Sequence, residues 1–161
     1  MPMDATPFEK IIALLDANHA DYRVVEHAPE GRSVEVSAIR GNKLEEACKA
    51  LVVRAKRTKK AAERQYFLLC FPSDRQTDFD LLEPYKDVRL CDLSELERLT
   101  SCVPGTVPPF SFNPELELLM DPRVLENEKF WFNAGRLDRS IQLSSADYLR
   151  IVRPTLRQLV R

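Results

Sequence analysis

The stretch Val103-Pro104-Gly105-Thr106-Val107-Pro108-Pro109-Phe110 constrains this chain more than any other, because it can be neither a helix nor a central strand. Its prolines remove backbone donors and fix φ, so helical and ladder hydrogen bonds both fail there. Pro104, Pro108 and Pro109 stiffen the backbone while Gly105 permits close approach of a ligand. Such a loop can present peptide N–H and C=O groups at fixed positions. A plain structural connection satisfies the same pattern.

Short elements are expected on both sides of the loop. Thr6-Pro7-Phe8-Glu9 is a helix start, with a capping Thr, Pro at the first helical position and Glu three residues after the cap. Phe8, Ile11, Ile12 and Leu15 keep helical spacing, which predicts a helix to about Asn18. Tyr22 to Val25 reads as a strand, and Ser33 is expected to cap a second helix ending near Gly41. Ala50 to Val53 and Tyr66 to Phe71 read as paired strands, with a further strand at Val88 to Leu90. Asp92 and Glu95 form a capping box for a helix carrying Leu93, Leu96 and Leu99. After the loop, Leu116 to Met120, Phe130 to Asn133 and Ile141 to Leu143 read as strands, and Ser144 with Asp147 caps a last helix limited by Pro154. Helices and strands intersperse without a regular βα alternation. The expected fold is therefore α+β, with a mixed, mostly antiparallel, barrel-like sheet core and flanking helices.

With 161 residues, 44% hydrophobic and 30% charged, the chain suits one domain, 1–161, folded beyond its first few residues. Its densest apolar patch, Tyr66 to Phe71, is far short of the ~20 residues of a membrane span. Met1 to Glu9 lacks the basic start and apolar stretch of a signal peptide, so a cytoplasmic location is expected. Cys48, Cys70, Cys91 and Cys102 form no CxxC pair, and Cys48 and Cys70 read as reduced thiols among apolar neighbours. His19 and His27 join no metal-ligand pattern, so no zinc site and no cofactor are expected.

A formal net charge of −1 does not advertise nucleic-acid binding, but its distribution is uneven. Between Arg54 and Arg64, Arg54, Lys56, Arg57, Lys59, Lys60 and Arg64 face the single acid Glu63. A local patch of this kind can contact phosphates; a solvated hairpin tip reads the same way. Lys49, leading into the apolar run Ala50-Leu51-Val52-Val53, either snorkels to the surface or is held for a purpose.

Taken in order, these segments resemble the YbaK/prolyl-tRNA-synthetase-associated editing family. Val25-Glu26-His27 through Glu46-Ala47-Cys48-Lys49-Ala50-Leu51-Val52 resembles its opening half, and Phe67 to Pro72 with Asp74 and Asp78 its central strand and following turn. Leu99-Thr100 and Gly105 to Phe110 match its Gly-x-x-x-Pro loop; Phe132-Asn133-Ala134-Gly135 and Ser140-Ile141-Gln142-Leu143 resemble its closing strands. Pro-Pro-Phe-Ser-Phe and Asp-Tyr-Leu-Arg-Ile bring the chain closest to the free-standing YeaK-like branch. Two departures are visible: Ser101 stands where many relatives have Gly, and Pro108 where they often have Ser. Both are expected to bear on substrate choice.

The resemblance implies an enzyme that hydrolyses the ester of mischarged tRNA carrying a small amino acid such as Ser, Thr or Ala. It assigns Lys49 as the essential cation and Gly105 as the catalytic-loop glycine. It places Ser101, Thr106, Val107, Pro108, Pro109 and His27 around the substrate. The 2′-hydroxyl of the tRNA would assist, and neither Ser101 nor Cys102 is expected to be a nucleophile. Lys56, Arg57, Lys59 and Lys60 are expected on acceptor-stem phosphates. The implied partner is the acceptor end of mischarged tRNA, without DNA or membrane, with transient contact to a synthetase. Two alternatives remain at this point: a non-catalytic module binding aminoacyl-tRNA or an amino acid, and an enzyme acting on a small aminoacyl ester outside tRNA.

Overall fold

The computed structural model describes residues 5–161; the expectations placed on Met1 to Asp4 lie outside them. The capping signals at Thr6, Asp92 and Ser144 fold as read. Helix α1 (Pro7–Ala17) opens with a reciprocal box: the Glu9 N–H donates to the Thr6 hydroxyl at 3.2 Å and the Thr6 N–H to the Glu9 carboxylate at 3.1 Å. Its Ile11 and Leu15 face the core. Strand β1 (Tyr22–Glu26) follows, then α2 (Ser33–Arg40). Ser33 is the first helical residue of α2 rather than its cap; the cap is Arg32, with no side-chain bond, held instead by Glu30. Gly41 ends the helix in the left-handed region as expected.

Strands β2 (Cys48–Lys56) and β3 (Gln65–Pro72) pair antiparallel, with Lys49 opposite Phe71 and Ala55 opposite Gln65. Both outrun their sequence signal. Arg54 can lie inside β2 because β4 (Asp87–Leu90) pairs beside it and supplies Asp87, whose carboxylate is 3.1 Å from the guanidinium. The Asp92–Glu95 box opens α3 (Leu93–Thr100). After the proline loop, β5 (Leu116–Met120) runs parallel to β3. Strands β6 (Lys129–Arg136) and β7 (Arg139–Ser144) form a hairpin with a bulge between Asn133 and Arg136. Ser144 caps α4 (Ser145–Val152), and β8 (Thr155–Leu156), a strand without a sequence signal, adds to the edge of β5.

The strands make two sheets, ordered β1-β7-β6 and β4-β2-β3-β5-β8, with four antiparallel pairings and two parallel ones. They meet at one bridge, Ala47 to Trp131, rather than closing into a barrel. The α+β expectation holds. Strand alternation then sorts the side chains into two cores. Val52, Leu68 and Cys70 face the layer built with α1, α3, α4 and the β6–β7 hairpin, including Phe110, Phe130, Phe132 and Tyr148. Val53, Ala55, Phe67, Leu69 and Phe71 face a second cluster closed by Leu82, Leu159 and Val160. Because both faces of β3 are covered, it reads as a continuous apolar run. The buried Asp121 pins the C-terminal segment by accepting from the Leu159 and Val160 N–H groups at 2.8 and 3.2 Å. No helix among the described residues is long and apolar enough to cross a membrane.

Candidate functional site

The bridge at Ala47 brings the start of β2 against β6, and Lys49 emerges two residues later, exposed, at the rim of a cavity of about 100 Å³. Gly31, Arg40, Lys49, Gly105, Val107 and Asn133 contribute to its wall. Its lining has no carboxylate, and none of the ion pairs among the described residues involves Lys49 or Arg40.

The proline loop is held from behind. Gly105 has φ +86°, and a Cβ there would lie 3.0 Å from the Gly31 Cα, so both the conformation and the contact disfavour a side chain. Three loop carbonyls take donors from neighbouring elements. The Asn133 Nδ2 donates to Gly105 O at 2.6 Å, the Gly135 N–H to Thr106 O at 2.9 Å, and the Tyr148 hydroxyl to Pro109 O at 2.6 Å. Thr106 is buried, and its N–H and hydroxyl both return to Val103 O. The amide N–H groups of Gly105 and Val107 donate to no protein acceptor among the described residues, and both residues line the cavity. Residues carrying two unused amides thus share one cavity with a cation, an arrangement suited to charge developing on an ester carbonyl.

The structure brings Lys49, Gly105 and Val107 together, with Thr106, Pro108 and Pro109 buried as the loop's support. Ser101 and Pro108 line a different cleft, shared with Pro7, Lys10 and Phe112. Ser101 is the left-handed residue that ends α3 (φ 57°), its N–H on Glu97 O at 2.8 Å. A glycine at that position relieves backbone strain, so this departure bears on helix termination and not on the cavity. His27 does not line the cavity either. Its Nδ1 lies 2.9 Å from Ala28 O and its Nε2 2.8 Å from Ser140 Oγ. Cys102 is buried, its thiol bonded to Thr100 O at 3.4 Å, and burial pushes the thiol pKa up, which removes it as a thiolate nucleophile.

The basic segment is smaller in space than in sequence. Arg54 is buried against Asp87 and Arg64 reaches Glu95. Arg57, Lys59 and Lys60 are exposed at the tip of the β2–β3 hairpin, with Lys56 bonded to Lys59 O at 2.9 Å and Arg57 over the Tyr85 ring. Seven residues of strand separate Lys49 from Lys56, which puts the two cations roughly 23 Å apart along β2.

Sequence reading passed over Arg40 and Asn133. Arg40, in the last turn of α2, resembles any cation at a helix C-terminus. Asn133 gave the better signal, a polar residue inside the apolar run Phe130-Trp131-Phe132 that β6 carries into the interior. Their contact joins positions 93 residues apart.

Residues 27–151 match the family described as the aminoacyl-tRNA editing domain. The chain belongs to that family. Over 160 residues, 97% of this chain and 94% of the relative, it is 39% identical to the multifunctional Ser/Thr-tRNA deacylase ProXp-y of Escherichia coli strain K12. Among solved structures, a hypothetical protein designated APE2540 superposes with a TM-score of 0.80 at 22% identity, covering 95% of this chain and all of its own. A protein described provisionally as a trans-editing enzyme for prolyl tRNA synthetase superposes at 0.76 and 18% identity, with 98% of each chain covered. Those two likenesses bear on the fold.

Proposed function

We propose that this chain is a free-standing aminoacyl-tRNA deacylase that hydrolyses the ester of mischarged tRNA carrying a small amino acid, Ser, Thr or Ala. The observation that carries the reading is the placement of Lys49 beside the unused amides of Gly105 and Val107 in a cavity of about 100 Å³ without a carboxylate. The name of the relative at 39% identity favours Ser and Thr among the three. An aminoacyl ester is labile enough that positioning and charge stabilisation suffice, which fits a site without an activated Ser or Cys nucleophile. In this reading Lys49 orients the terminal nucleotide and ester, and the loop amides meet the carbonyl oxygen as negative charge develops on it. Water then attacks, with the tRNA 2′-hydroxyl assisting.

Selection is steric first: the cavity rejects large side chains, and its polar wall can favour a hydroxyl. Lys56, Arg57, Lys59 and Lys60 contact phosphates further along the acceptor stem, at the far end of β2. The whole of 1–161 acts as one editing domain in the cytoplasm, without a cofactor, contacting a synthetase only transiently and binding no DNA. The test is deacylation of tRNAs charged with Ser, Thr, Ala, Cys and Pro. Rapid release of one or two small amino acids is the expected result. Binding of all five without release would establish the non-catalytic module in its place.

A further inference from the structure

Arg40 is a half-buried guanidinium whose partners are all neutral. Its Nε donates to Asn42 Oδ1 at 2.8 Å, its Nη1 to Asn133 Oδ1 at 3.1 Å and to Ser140 Oγ at 3.2 Å, and its Nη2 to Ser37 Oγ at 3.3 Å. The face of Trp131 lies 5.4 Å from the guanidinium carbon and offsets part of the desolvation. Burial pulls the Arg40 pKa down to about 10. A cation sequestered at that cost, with no carboxylate to compensate it, has a use other than salt bridging.

The donor and acceptor inventory shows what it does. Arg40 can only donate and the Gly105 carbonyl can only accept. Asn133 lies between them, so its oxygen must face Arg40 and its Nδ2 must face Gly105, where the bond is 2.6 Å. Charge on Arg40 polarises the intervening amide and strengthens that second bond. Ser140 Oγ accepts from Arg40 in the same way and lies 2.8 Å from His27 Nε2. One cation therefore orders two side chains, one of which grips the loop.

We infer that Arg40 is a positioning residue that locks the Asn133 amide and, through it, the Gly105 carbonyl, so that the Gly105 and Val107 amides are held in place for the ester. The inference rests on the deacylase reading for its kinetic consequence but not for its structural one. Two near-isosteric variants separate it from a general role in stability. Arg40→Lys keeps the charge but lacks the planar fork that reaches Asn133, Ser140 and Asn42 together. Asn133→Asp gives Arg40 a carboxylate and a stronger partner, yet turns an acceptor toward the Gly105 carbonyl.

The experiment is single-turnover deacylation of Ser- and Thr-tRNA by wild type and both variants, with amide hydrogen exchange of the free proteins. The Thr106 and Gly135 N–H groups, bonded to Val103 O and Thr106 O, report on the loop. Both variants are expected to keep the wild-type melting temperature within a few degrees and half-saturation within about threefold. The saturating rate falls by ~10- to 100-fold, and exchange at both amides speeds up. Full activity in Asn133→Asp, or unchanged loop exchange in both variants, overturns the inference. If wild type releases no amino acid the deacylase reading fails, and loop exchange alone then decides whether Arg40 holds the loop.

Discussion

The two ends of β2 carry the same kind of residue and put it to opposite uses. At the Cys48 end, Lys49 and Arg40 border one small cavity with no carboxylate, and Arg40 is fastened by four hydrogen bonds to neutral groups. At the hairpin end, Arg57, Lys59 and Lys60 stand in solvent. Arg40, half-buried and fastened, can act on a particular atom, and Lys49 shares its cavity; hydrated cations at a hairpin tip can act only on a field of phosphates. Arg54 belongs to neither group although it lies in the sequence cluster, because Asp87 absorbs its charge inside the sheet. Charge density along a chain is thus a poor guide to charge in space.

The contrast can be broken from either side, and the largest effect is expected where a charge is buried. Arg54→Ala leaves the buried Asp87 with only the exposed Arg89 as its charge partner and should lower Tm by up to about 10 °C, read by calorimetry, while leaving the salt dependence of tRNA binding unchanged. Lys49→Ala should cost ~10²- to 10³-fold in deacylation rate with Tm retained, because the side chain is exposed. Gly105→Ala meets both a left-handed φ and the Gly31 backbone, so activity should fall at least tenfold and stability by about 1–2 kcal/mol in denaturant titration. Replacing Lys59 and Lys60 together by Ala should change the slope of log affinity against log salt by about 2 or less.

Acid should act on the scaffold before the site. Burial opposes ionisation of Asp87, but its bonds to Arg54 and Arg89 outweigh that and hold its pKa below the usual carboxylate value. Backbone bonding from Asp21, then Arg150, lowers that of Asp147. A depressed carboxylate stabilises the fold above its unfolded pKa, and that stability is lost as pH falls through the folded value. Tm should therefore be flat from neutral pH to about 5 and decline below about 4, and Asp87→Asn should blunt the decline from a lower plateau.

Where a signal was local, the chain could be read directly. The Thr6–Glu9 and Asp92–Glu95 boxes are complete within four residues, and Leu116 to Met120 is a strand to the residue. Lys49 and the Gly105 loop were legible because a cation before an apolar strand and a proline-flanked glycine are both locally costly. What sequence could not supply came from distance. Thr155–Leu156 is a strand only because β5 offers an edge. Arg40, Asn133 and Gly105 form a unit only because β6 passes between α2 and the loop, across separations of 93 and 28 residues. Ser101 stands outside the cavity for the related reason that its backbone angle, invisible in sequence, places it at the end of α3.

The most direct test of this division of labour is single-turnover deacylation of Ser-tRNA over a range of enzyme concentrations, with Lys49→Ala set against the Lys59→Ala/Lys60→Ala double variant. The account predicts that Lys49→Ala lowers the saturating rate by at least 100-fold with little change in half-saturation, while the double variant raises half-saturation and keeps the saturating rate. A Lys49→Ala enzyme that reaches the wild-type rate at saturation, or a hairpin variant whose saturating rate collapses, would contradict it.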